Sequence, residues 1–105
     1  MKKVRLNIKE VFLQQIVAGE KTEEIRDDTL YNRKLFCNLD ENKQAVSFKK
    51  IDAIEFFTSR DSKAKKATVE LIELYAGEYV DEDTGEDIGE YYIASVLGKV
   101  LEKNF

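Results

Sequence analysis

Short runs in which apolar and polar residues alternate, each ended by a polar turn, constrain this chain most. Successive side chains of a strand point to opposite faces, so period-two alternation marks a strand with one buried face. Val4, Leu6 and Ile8 alternate with Lys3, Arg5 and Asn7. Residues 51–58 set Ile51, Ala53, Glu55 and Phe57 against Asp52, Ile54, Phe56 and Thr58. Residues 67–75 set Val69, Leu71 and Glu73 against Glu70, Ile72 and Leu74. Residues 91–102 close the chain as a further strand, with Gly98 marking a bulge or a close approach. Residues 22–27 read as a short strand, and residues 45–48 as a short strand or loop.

One stretch, about residues 9–18, has helical spacing. Phe12 and Ile16 lie four apart, and Leu13, Ile16 and Val17 share one apolar face. Asn7 and Glu10 have the spacing of an N-cap and its third helical residue. Gly19 is placed to stop the helix in the left-handed region. Residues 28–39 read as a loop with a helical turn carrying Tyr31, Leu35 and Phe36 inward, with room for a second short helix in 28–36. One helix followed by short strands and turns predicts an α+β fold, either a small mixed barrel or a strongly curved sheet.

The chain has 105 residues, 43% of them apolar, enough for one modest core. Residues 1–105 are therefore expected to form one domain. A net charge of −4 argues against a generally basic nucleic-acid coat, although recognition responds to local potential. There is no histidine, which removes the usual Ser-His-Asp and Cys-His catalysts and histidine metal sites. Acid–base work would fall to Lys, Glu, Asp, Tyr or a thiol. Neither a metal nor a cofactor is expected.

The single Cys37 cannot form an intrachain disulfide, which fits a reducing compartment. Lys2 and Lys3 are followed by no apolar signal core, and no apolar run approaches the ~18 residues of a membrane span. The expectation is a cytoplasmic protein with no membrane partner. Residues 78–90 are acidic and contain Gly85 and Gly89, the pattern of an exposed hairpin arm. They lack the ligand spacing of a calcium loop. Such an arm would repel nucleic acid on its own side and could meet a protein partner.

Chemistry concentrates in Gly19-Glu20-Lys21-Thr22-Glu23-Glu24-Ile25-Arg26. Alternation places Thr22, Glu24 and Arg26 on one face and Lys21, Glu23 and Ile25 on the other. If Ile25 faces the core, Thr22, Glu24 and Arg26 line a surface or cleft. Lysine and arginine together favour a phosphate or carboxylate. Glu24 would hold Arg26 or accept a hydrogen bond from a base or sugar. Arg33 and Lys34, with Arg60, Lys63, Lys65 and Lys66, would extend a phosphate track. Tyr31, Phe56 and Phe57 could stack on bases where exposed.

At Gly19, Lys21, Glu24 and Arg26 the sequence resembles the ASCH domain family of the PUA-like superfamily. That family's motif is Gly-x-Lys-x-x-Glu-x-Arg after a glycine-ended helix. The following Tyr31-Asn32-Arg33-Lys34-Leu35 loosely resembles a stretch of some members. The resemblance implies a small PUA-like β-barrel of five or six mostly antiparallel strands with one or two short helices. It also implies a cleft that carries the motif, and a role in RNA binding.

Some members are hydrolases. One small bacterial type has Gly-x-Lys-Thr-x-Thr-x-Arg-Asp, matched here by Lys21, Thr22, Arg26 and Asp27. Glu24 stands where that type has its nucleophilic threonine. The first expectation is thus a domain binding RNA or a nucleotide-derived ligand through Lys21, Glu24 and Arg26, with Arg33 and Lys34 alongside. The second is a small hydrolase of modified nucleosides or RNA using Lys21 with Thr22 or Glu24. The third is an accessory or phage-type protein-interaction domain.

Overall fold

The computed structural model describes residues 1–105. Its order is β1 (Lys3–Asn7), α1 (Glu10–Val17), β2 (Glu23–Asp27), α2 (Leu30–Phe36), β3 (Cys37–Leu39), β4 (Ala45–Phe48), β5 (Ala53–Phe57), β6 (Lys66–Val80) and β7 (Asp87–Lys103). Five strands form one sheet in the order β1-β5-β6-β7-β2, and β3 and β4 form a separate hairpin. β1 runs parallel to β5; every other pairing is antiparallel.

The expected closed barrel is not present. β1 and β2 are the two edges of the sheet and share no ladder. The chain between them is α1, whose Leu13 and Ile16 enter the core. Depressions lined by residues of both edges, Asn7 of β1 and Arg26 of β2, lie where a closing ladder would run. One contact joins the edges: Arg26 of β2 donates from Nη2 to the Asn7 carbonyl of β1 at 2.7 Å. The strand count also differs from expectation, at seven, because residues 37–39 and 45–48 pair with each other off the main sheet.

The core is one cluster that includes Leu6, Ile8, Leu13, Ile16, Phe36, Ile54, Phe56, Val69, Ile93 and Leu97. Alternation accounts for the inner face of β7, where Ile93, Ser95 and Leu97 are buried. α2 begins at Thr29, whose hydroxyl accepts from the Asn32 N–H at 3.1 Å. The helix is short, yet it ends on fully buried Phe36 and so ties the β3–β4 hairpin to the core. Tyr31 is exposed rather than turned inward. Cys37 is buried, and burial, followed by the nearby Asp28 charge, pushes its thiol pKa up, which makes it a poor nucleophile.

β6 and β7 pair from Ala67–Lys103 out to Val80–Asp87, forming a ribbon that ends in a turn with Gly85 at φ +73°. Residues 73–90 hold eight of the 21 acidic residues and none of the 17 basic ones. The remainder of the chain is therefore net basic. At the base of the ribbon, on the outer face, Tyr92 packs against Tyr75 and Tyr79, with ring centroids 6.4 and 5.0 Å away. The Tyr75 hydroxyl donates to Glu23, and the Tyr79 hydroxyl donates to Asp27.

These bonds favour the protonated phenols, so both tyrosine pKa values lie above the ordinary 10.0. A group whose folded pKa is raised contributes stability below its unfolded pKa and loses it as pH rises through the folded one. Ultraviolet titration should therefore show two tyrosines ionising above the ordinary phenol range, with stability falling in that alkaline range. Glu23→Gln should return Tyr75 toward the ordinary value. Unchanged titration in that variant would contradict the assignment.

Candidate functional site

The end of α1 sets the position of the junction. Gly19 adopts φ +79°, and its N–H bonds the Ile16 carbonyl at 3.1 Å, while the Glu20 N–H bonds the Gln15 carbonyl at 2.9 Å. This pair of bonds is a Schellman motif, which needs a residue that tolerates the left-handed region. The Lys21 N–H also bonds the Gln15 carbonyl, at 3.1 Å, so Lys21 is held against the helix end. The helix start differs from expectation. Its N-cap is Lys9, with no side-chain cap, and Asn7 ends β1 instead.

β2 then projects Glu24 and Arg26 from one face, as alternation requires, but the facing is inverted. Glu24 is only 8% exposed, whereas Ile25 is 46% exposed. Glu24 pairs in register with buried Ser95 of β7. A buried carboxylate needs compensation. Lys21 Nζ lies 3.2 Å from Glu24 Oε2, and Arg26 Nε lies 2.8 Å from Glu24 Oε1. The cluster carries two cations and one anion. Lys21 Nζ also lies 5.6 Å from the Phe12 ring centroid.

Arg26 uses Nε on Glu24 and Nη2 on the Asn7 carbonyl. Its Nη1 has no protein acceptor. Both cation side chains remain about a quarter exposed, at 25% for Lys21 and 26% for Arg26. Two depressions adjoin at Asn7 and Arg26. The smaller, 230 Å³, is lined by Ile8, Lys9, Phe12 and Glu24 besides these two. The larger, 330 Å³, adds Arg5, Tyr31, Asn32, Phe57 and Arg60 among others.

Thr22 precedes the strand, is exposed, and bonds neither Lys21 nor Glu24 through its hydroxyl. Lys21, Arg33 and Lys34 line neither depression, though Lys21 is held beside them on Glu24. Arg33 forms an ion pair with Asp28, 2.8 Å from Nε to Oδ1, and donates from Nη1 to the Lys43 carbonyl. It serves the β3–β4 hairpin. Lys65 pairs with Glu10, which takes it out of the basic track as well.

The sequence marks Arg5 only as the polar side of a strand, and Asn7 as that and as a helix N-cap, not as site residues. Their place in the site depends on the parallel β1–β5 register, which sets Arg5 opposite Glu55 and Asn7 opposite Phe57. No local pattern carries that register. No family model, curated protein or solved structure matches the chain. No group of three or more Cys, Asp or Glu side chains converges as a metal site. No helix is long and apolar enough to cross a membrane.

Proposed function

We propose that the chain is an ASCH-type binding domain, built on an open sheet, that takes RNA or a nucleotide-derived ligand at Lys21, Glu24 and Arg26. The observation that carries this reading is the state of Arg26. Its guanidinium is fixed by Glu24 and by the Asn7 carbonyl, stands where two depressions meet, and keeps Nη1 free. A guanidinium held in place loses little entropy when it meets a phosphate. Lys21 adds a second cation beside it. Glu24 orients both, and this is a better-supported role than reading a ligand edge, since each of its oxygens already has a cation.

Binding is better supported than hydrolysis, because the candidate nucleophile Thr22 is not hydrogen-bonded to a base. The acidic ribbon would turn a polyanion toward the Arg26 side.

The test is polarisation of a labelled short single-stranded RNA. Affinity should fall with salt, by roughly twentyfold between about 50 and 200 mM if about three phosphates are contacted. The double variant Lys21→Met, Arg26→Met should lose at least about tenfold. Arg26→Lys, which keeps the charge but not the fork, should fall between. Wild-type affinity in the double variant, with a normal melting curve, would overturn the reading.

A further inference from the structure

The two depressions differ in charge. The smaller contains the Glu24 carboxylate, and the larger contains none. Three arginines line the larger one: Arg5, Arg26 and Arg60. Arg5 is paired with Glu55 and lies 4.6 Å from the Phe57 ring centroid. Arg26 is held as described above. Arg60 is exposed and has no carboxylate within ion-pair distance. An anion entering here meets two fixed guanidinia and one free one. In the smaller depression the same anion would face a carboxylate.

The rim of the larger depression also carries an aromatic ring with nothing on it. Tyr31 is 68% exposed on the first turn of α2, so its ring face is open to a ligand. Asn32 beside it donates Nδ2 to the Asp27 carbonyl at 2.8 Å, which fixes its amide and leaves its oxygen available as an acceptor. The volume, 330 Å³, lies at the low end of the roughly 300–1,000 Å³ typical of small-ligand sites. That is room for one unit rather than a duplex segment.

Resting on the binding reading above, we infer that the larger depression takes a single nucleoside monophosphate unit. Its phosphate meets the free donors of Arg60 and Arg26, and its base stacks on Tyr31. The smaller depression does not hold phosphate. The unit could come from a free mononucleotide or from a single strand, and the phosphate-plus-base chemistry is common to both.

Titration calorimetry with adenosine monophosphate, adenosine, inorganic phosphate and a short adenine-only RNA separates the arms. Adenosine monophosphate should bind at least about tenfold tighter than either adenosine or phosphate alone. Tyr31→Ala should weaken adenosine monophosphate by about tenfold, the value of one lost stacking contact. Arg60→Gln should weaken it about fivefold and leave adenosine unchanged. Both side chains are exposed, so both variants should melt as wild type does.

Tight mononucleotide binding names the free nucleotide as the source. Binding of the RNA alone, weakened by the same two variants, names the strand and supports the same site. RNA or nucleotide binding that ignores Arg60→Gln and Tyr31→Ala, yet is lost with Lys21 and Arg26, overturns this inference and leaves the binding reading intact. Adenosine binding as tightly as its monophosphate overturns the phosphate assignment. No binding by the wild-type protein overturns the binding reading itself.

Discussion

Phe36→Ala is expected to destabilise the protein by about 3–5 kcal/mol, the usual cost of removing a buried phenylalanine. Phe36 is fully buried and belongs to the main core cluster. Its position makes the loss more than local. It is the last residue of α2 and adjoins β3, and its carbonyl accepts the Lys49 N–H at 2.8 Å just beyond β4. The β3–β4 hairpin has few buried residues of its own, so its attachment depends on this side chain. Domains of this size have roughly 5–15 kcal/mol in total. The variant should therefore show a much lower denaturant midpoint, and Phe36→Leu should recover a large part of it. A midpoint within error of wild type would show that α2 is not docked as described.

Glu24→Leu is expected to cost about 2 kcal/mol, although it puts an apolar side chain in a buried place. Removing one member of a buried charge group leaves the others uncompensated, at a typical cost of ~3–5 kcal/mol. Lys21 and Arg26 are about a quarter exposed (25% and 26%), so water recovers part of that cost. Replacing all three together, with Lys21→Met and Arg26→Met added, should return much of the loss, because no unpaired charge then remains. The triple variant should also fail to bind RNA. A neutral effect of Glu24→Leu alone would mean that the three groups do not act as a unit.

Much of the local structure is legible in the sequence, and the reasons are physical. Alternation locates β1, which buries one face, whereas β5 and the inner halves of β6 and β7 are located by apolar runs that bury residues on both faces, as Ala53, Ile54, Phe56 and Phe57 do. Helical spacing and Gly19 locate α1 and its end. The parity of β2 is also legible, since Glu24 and Arg26 share a face.

What is not legible is which face. Hydropathy assigns Ile25 to the inside, but Glu24 is buried because Lys21 and Arg26 compensate it, and compensation is invisible to a pattern of polar and apolar letters. The closed barrel expected from the family resemblance fails for a related reason. Closure depends on a pairing between β1 and β2 that neither strand specifies alone, and the two remain unpaired edges. α2 was only half legible because its seven residues are too few to show a helical period.

The site divides in the same way. The Lys21–Glu24–Arg26 cluster lies within six consecutive residues, so a local reading can assemble it. Arg5, Asn7 and Arg60 reach it through strand pairing and a distant turn. Arg33 and Lys34, close in sequence, are carried elsewhere by the direction of α2. Proximity along the chain was a poor guide to which cations would share a cleft.

The proposed role requires that this junction meet a ligand. Backbone amide chemical-shift mapping with a short single-stranded RNA tests it most directly. The shifted amides should cluster at Asn7, Lys21, Arg26 and Asn32, with none at the ribbon tip, residues 81–86. Shifts confined to the ribbon, or none at saturating RNA, would contradict it.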